Sequence, residues 1–226
     1  MSFEERSYSS HLFRPRPEVH VERDESLIII ATPWGPRGAA RKAIQIIQDY
    51  YLSSRQDSEA TSPFAKLTCL SPMANDLRIA VKLANDSIYH EDNKREFVSA
   101  IELFALARTK EEIVWTQIGQ PFALLDRPQR PLTPLGTMQD LSVEFSVNAK
   151  ALPPLPHKLL GLDNSSDFAI ESFRPQYQDR LILISRSGLA PSLFALSPAD
   201  RNLAQISEIL SQDDVDLPFW AGILGT

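Results

Sequence analysis

A chain of 226 residues with 23 Lys and Arg against 29 Asp and Glu carries a net charge of -6, which disfavours broad charge-driven binding to nucleic acid or an anionic membrane surface. Cys69 is the sole cysteine, so no disulfide closes within the chain, as suits a reducing compartment. The polar start Met1-Ser2-Phe3-Glu4-Glu5-Arg6 lacks the order of a signal peptide, and no apolar run approaches the roughly 20 residues of a membrane span.

These features predict a cytoplasmic protein that binds neither nucleic acid nor membrane, folded as one domain over residues 1–226. Cys69, beside Leu67 and Leu70, reads as a small buried apolar residue rather than a nucleophile.

Two short strands, Tyr8 to Phe13 and Val19 to Arg23, flank Arg14-Pro15-Arg16-Pro17 and suit a sheet edge. The run Leu27-Ile28-Ile29-Ile30-Ala31-Thr32 predicts a buried strand, and Pro33-Trp34-Gly35-Pro36 a corner. A helix from Ala39 to Leu52 follows, with Ala40, Ala43, Ile44, Ile47 and Tyr51 on one stripe. Ser71 caps a second helix that opens at Pro72 and buries Leu77, Val81, Ala84 and Ile88.

From residue 96 the period changes to that of strands: Phe97 to Ala107, Ile113 to Ile118 and Phe122 to Leu125 read as an antiparallel meander. Leu141 to Val147, Phe168 to Phe173 and Leu181 to Ile184 continue it. A third helix is expected over Pro198 to Leu210 with Ser197 as cap, and a closing strand over Leu217 to Leu224. The pattern predicts an α+β fold of two antiparallel sheets with helices outside.

The order of these pieces resembles the metal-dependent PPM/PP2C-type serine/threonine protein phosphatases across nearly the whole chain. Ala31-Thr32-Pro33-Trp34-Gly35-Pro36 stands where the family's first strand ends in Ala-Asp-Gly. Leu83-Ala84-Asn85-Asp86-Ser87-Ile88-Tyr89 is similar to its second helix. Trp115-Thr116-Gln117-Ile118-Gly119-Gln120-Pro121 with Leu124-Leu125-Asp126-Arg127 resembles its Gly-Asp-Ser hairpin. Gln178-Asp179-Arg180-Leu181-Ile182-Leu183-Ile184-Ser185-Arg186-Ser187-Gly188-Leu189 resembles the strand that ends in Ser-Asp-Gly.

The resemblance implies an αββα sandwich and a phosphatase chemistry in which carboxylates hold Mg²⁺ or Mn²⁺ and a metal-bridging water attacks the phosphoryl group. The carboxylates are the part that departs. Thr32-Pro33 replaces the first Asp-Gly, and Gln120 replaces the Asp of Gly-Asp-Ser. The Asp of Ser-Asp-Gly falls on Ser187 when Gly188-Leu189 anchors the comparison and on Arg186 when the strand does. None of the eight glycines follows an Asp, so the family's two Asp-Gly pairs occur nowhere.

Two metal positions have carboxylates in the comparison. Arg14-Pro15-Arg16-Pro17-Glu18-Val19 has the spacing of the family's Arg-x-x-Asn-Glu-Asp, making Arg14 the phosphate-binding arginine and Glu18 a metal ligand. The other reading is a solvated surface pair. Asp213, in Asp213-Asp214-Val215-Asp216, is either the last metal Asp or part of a loop before a strand.

His11, His20, His90 and His157 lack zinc-site spacing and read as surface or hydrogen-bonded residues. No phosphate loop or Gly-x-Ser-x-Gly elbow occurs. Trp34 is either a rim aromatic or a contact for a partner. Arg37 and Arg186 are either solvated or a positive filler where metals would sit.

The sequence thus predicts a catalytically inactive, cofactor-free member of the family type that binds another protein in signalling, a kinase or a phosphorylated segment. The alternative is a divergent phosphatase with one weakly bound Mn²⁺ or Mg²⁺ at Glu18 and Asp213, together with Asp214 and Asp216.

Overall fold

A computed structural model of the chain describes residues 3–23, 26–56, 62–136, 140–145 and 151–225. These fall into two compact units, each assembled from discontinuous segments. Unit 2 comprises residues 17–118 and 158–174; unit 1 comprises residues 1–16, 119–157 and 175–226.

Unit 2 is a five-stranded antiparallel sheet covered by two helices. The strands are β2 (Glu18–Val21), β3 (Leu27–Trp34), β4 (Ala100–Arg108), β5 (Ile113–Ile118) and β8 (Ile170–Phe173), in the order β2-β3-β4-β5-β8. Successive side chains of β3 alternate between faces. Leu27, Ile29 and Ala31 enter the core shared with α1 (Arg37–Gln56) and α2 (Pro72–Ser87), and Ile28, Ile30 and Thr32 on the opposite face are equally buried. A strand buried on both faces has no polar alternation, which is why it reads as a continuous apolar run.

Pro33 is paired with Ile101 and lies beyond Ala31, the last β3 partner of β2, so its missing N–H falls where pairing on that side has ended. The α1 stripe is as its period predicts: Ala40, Ala43, Ile47 and Tyr51 are buried and Ile44 packs against the same core. Ser71 accepts a hydrogen bond from Ala74 N at 3.2 Å and Pro72 opens α2, whose last turn widens into a π turn over Ile88–Asp92.

Unit 1 is the second antiparallel sheet: β1 (Glu4–Tyr8), β6 (Phe122–Asp126), β7 (Thr133–Pro134), β9 (Arg180–Ser185) and β10 (Phe219–Gly225), in the order β1-β10-β9-β6-β7. The helix α4 (Leu203–Asp213) sets Leu203, Ile206 and Leu210 against Ile182, Ile184, Phe219, Ala221 and Ile223. A short α3 (Leu141–Phe145) completes the unit.

Four local expectations are corrected. The first strand is Glu4–Tyr8, upstream of Tyr8 to Phe13, because it zips against β10 with Tyr8 opposite Phe219. Leu141 onwards is helical rather than extended: Asp140 Oδ1 accepts from Ser142 N at 3.0 Å and starts a turn. Residues 146 and 147 of that predicted strand lie outside the described residues. The third helix starts at Leu203, capped by the Asn202 side chain on Gln205 N at 3.0 Å, while Pro198–Asp200 forms only a 3₁₀ turn. Cys69 is exposed, not buried.

Candidate functional site

The end of β9 is the most chemically specialised corner of unit 1. After Ser185 the chain turns, and the side chain of Arg186 runs inward until it is only 1% exposed. A buried guanidinium demands acceptors for its fixed fork of N–H donors. Nη1 donates to Asp213 Oδ2 at 3.0 Å and to the Gly188 carbonyl at 2.9 Å. Nη2 donates to the carbonyls of Leu210 at 3.3 Å and Asp214 at 3.5 Å. Those carbonyls lie at the C-terminal end of α4, where the helix dipole favours a cation, yet α4 has no basic residue in its own last turn. Arg186 supplies that charge from another element.

Arg186, Ser187, Gly188, Asp213 and Asp214 line a cavity of about 340 Å³, with Val143 and Leu217 among its apolar walls. Ser187 is 4% exposed, and its hydroxyl has no hydrogen-bond partner among the described residues. Gln120, 2% exposed, donates from Nε2 to the Arg186 carbonyl at 2.6 Å and so fixes the backbone of the turn. Unit 1 therefore brings Gln120, Arg186, Ser187 and Asp213 together around one guanidinium. Asp213 is the last residue of α4, so its carboxylate is presented by a helix rather than by a loop.

Arg14 takes another route. Its side chain is 3% exposed and stands 3.6 Å from Asp140 Oδ2, while Asp140 Oδ1 accepts from Ser142 N and, at 2.8 Å, from Leu155 N. The carboxylate facing Arg14 thus belongs to the protein itself. Glu18, in unit 2, accepts from Arg41 at 3.2 Å. Thr32 is fully buried on β3, directly across from Glu102 on β4, with Pro33 following it. Trp34 is half-buried at the end of β3, and Arg37 is exposed at the first turn of α1.

Sequence reasoning missed two groups. Glu102 is a carboxylate only 1% exposed in the middle of an apolar strand, and that one charge inside the run Ala100–Ala107 was the available signal. Asp126 of β6 accepts from both Arg180, at 3.0 Å from Nε to Oδ2, and Arg201, at 2.7 Å from Nη1 to Oδ1. Beside it, Arg127 is bidentate on Asp179 at 2.9 and 2.8 Å, a pairing that raises the Arg127 pKa further. Asp126-Arg127 and Asp179-Arg180 both lie in family-like stretches, but nothing local marked them as each other's partners or pointed to Arg201.

The histidines are dispersed: His11, His20 and His90 lie within 3.4 Å of Asp216, Glu22 and Asp86 respectively. Among the described residues no group of three or more His, Cys, Asp or Glu is arranged to hold a metal ion. No helix among them is long and apolar enough to cross a membrane.

The fold has clear counterparts among solved structures. The PPM Ser-Thr phosphatase MsPP from Mycobacterium smegmatis, in complex with cacodylate, superposes with a TM-score of 0.65 at 14% identity, covering 99% of this chain and 97% of that one. The catalytic domain of the serine threonine protein phosphatase PstP, in complex with 2 manganese ions, gives 0.58 at 16% identity, covering 100% and 98%. PppA, a key regulatory component of T6SS in Pseudomonas aeruginosa, gives 0.61 at 16% identity, covering 100% and 99%. No family model and no curated protein sequence matches the chain.

The metal that this fold holds in PstP can be set against the residues present. A divalent cation needs several oxygen ligands. In unit 1, Asp213 Oδ2 is engaged by a guanidinium and Gln120 and Ser187 bring no carboxylate. In unit 2, Thr32 and Pro33 bring none and Glu18 is engaged by Arg41. Neither donor set fits a two-metal centre.

Proposed function

We propose that this chain, which has the fold of the PPM-type serine/threonine phosphatases, is a protein-binding module that does not hydrolyse phosphoesters. One observation carries the reading: the buried Arg186 guanidinium on Asp213, with four acceptors satisfied. A positive charge fixed within 3.0 Å of a carboxylate opposes entry of a dication by like-charge repulsion and removes a ligand oxygen. Without metal, neither the bridging nucleophile nor the charge that stabilises the transition state is supplied. On this reading Thr32, Pro33, Gln120, Arg186 and Ser187 are former metal-site positions, and Asp213 is a remnant ligand turned to structural use.

Function then lies in binding another protein in the cytoplasm, a kinase or a phosphorylated segment, with residues 1–226 acting as one domain. Trp34 and Arg37 are the contacts offered to it, whereas the Arg14 side chain is buried against Asp140 and is not available. The regulatory role of PppA, a protein of the same fold, is in keeping with this. The test is turnover of p-nitrophenyl phosphate and of phosphoserine and phosphothreonine peptides with Mn²⁺ or Mg²⁺. The expected result is none above buffer; turnover that disappears on Asp213→Asn would refute the proposal.

A second reading is a divergent phosphatase whose reduced site holds a single Mn²⁺ or Mg²⁺ through Asp213. It is favoured by the one-third exposure of the Asp213 side chain and by the manganese in PstP. Calorimetry with no Mn²⁺ heat at millimolar concentration would eliminate it.

A further inference from the structure

Unit 1 holds a second cavity, at the opposite end of β9 from the Arg186 corner. Arg180 opens this six-residue strand and Ser185 closes it, roughly 17 Å apart at the rise of an extended chain. The cavity measures about 560 Å³, a size that takes a small molecule. Pro128, Tyr177 and Pro198 give it flat apolar walls, and Gln178 and Arg180 give it polar ones.

Its charge follows from a count. Buried Asp126 is one carboxylate between two guanidinium groups: Oδ2 accepts from Nε and Nη2 of Arg180 at 3.0 and 2.5 Å, and Oδ1 from Nη1 of Arg201 at 2.7 Å. The triad keeps one positive charge in excess, and the neighbouring Arg127–Asp179 pair adds none. Arg201 is buried, so the excess reaches the surface through Arg180, whose side chain is 36% exposed. Nε and Nη2 of Arg180 are occupied, whereas Nη1 has no hydrogen-bond partner among the described residues. Among the exposed charges that flank the lining segments in sequence, Asp200 stands against Arg130 and Arg174, so they do not cancel the excess.

The wall that carries Tyr177 is fixed before any ligand arrives. Asp179 Oδ2 accepts from Gln176 N at 2.9 Å while both its oxygens hold Arg127, and Asp179 N donates to the Gln176 carbonyl at 3.1 Å. This turn presents Tyr177, 88% exposed, and Gln178 at a φ of +65°. A wall ordered in advance leaves little entropy to be lost on binding.

We propose that this cavity binds a small carboxylate with a flat apolar body, an aromatic acid. The carboxylate accepts from Arg180 Nη1 and balances the charge of the triad, and the ring lies against Pro128, Tyr177 and Pro198. A single open guanidinium N–H suits a carboxylate better than a phosphate, which calls for several donors. The site is separate from the Arg186 corner, so phosphatase turnover would refute the function proposed above and leave this inference intact.

The probe is 2-naphthoate, its fluorescence anisotropy followed on titration with the full chain and then reversed with benzoate, benzamide or acetate. Saturable binding below millimolar probe is expected, with benzoate displacing it at least about tenfold better than the neutral amide or the ringless acid. Tyr177→Ala removes a wall and Arg180→Gln the donor, and each should weaken binding about tenfold or more. Phe97→Ala, at an exposed aromatic of unit 2, should leave it unchanged. If Arg180→Gln fails to fold, Tyr177→Glu decides, because it sets a like charge at an exposed position and should weaken binding about tenfold with unchanged melting. No saturable binding up to millimolar probe, displacement by benzamide as effective as by benzoate, or binding indifferent to Tyr177→Ala and Tyr177→Glu would overturn the proposal.

Discussion

The guanidinium of Arg186 and the carboxylate of Asp213 meet at 3.0 Å, with the arginine side chain 1% exposed and the aspartate 33% exposed. The asymmetry matters, because Asp213 can turn to water if its partner is lost, whereas the carbonyls of Leu210 and Gly188 would lose a donor. Arg186→Met should therefore destabilise unit 1 by about 2–4 kcal/mol in urea unfolding. Asp213→Asn should cost less than Arg186→Met, since the amide oxygen still accepts.

Asp126 is a sharper case because it is 5% exposed and serves two arginines, Arg180 and Arg201. Asp126→Ala would leave the buried Arg201 guanidinium with only the Leu196 and Arg130 carbonyls, while Arg180 can turn to water, and a loss of about 3 kcal/mol is expected from chemical denaturation.

Gly35→Ala tests the corner itself. With φ at +129° and the added Cβ 2.2 Å from a backbone oxygen, the neighbour cannot yield as a flexible side chain would. A loss of about 3 kcal/mol or more, seen as a lowered melting temperature, is expected. Gly38→Ala, where a Cβ would meet nothing within 4 Å, is the matched control.

Asp76 on α2 gives a pH-dependent prediction. Burial raises its pKa above the ordinary 3.8, against the pull of Lys66, whose Nζ lies 3.7 Å away, and of Ser54. With its folded pKa above the unfolded one, the folded state binds more protons in that window, so stability falls as pH rises through it. Asp76→Asn removes the effect. Its melting temperature should match the parent's at acid pH and exceed it above the raised pKa.

Much of the fold was legible because periodicity reports burial. The run Leu27 to Thr32 and the stripe from Ala40 to Tyr51 gave strand, corner and helix nearly to their ends, and Ser71-Pro72 marked α2. Where competing caps were close in sequence the boundary was lost, as when Asn202 rather than Ser197 opened α4. The short helix at Leu141 was hidden because its turn depends on a carboxylate, Asp140, also tied to Leu155. In the candidate site the absence of carboxylates at Thr32, Pro33 and Gln120 could be read directly. What replaced them could not: Asp126 and Arg201 are 75 residues apart, and Arg186 and Asp213 are 27 apart, so these pairings exist only in the folded chain.

The most direct test of the central claim, that a resident guanidinium excludes a divalent cation, is calorimetric titration of the full chain with Mn²⁺. No binding heat up to millimolar Mn²⁺ is the predicted result. Saturable binding that is abolished by Asp213→Asn would contradict it.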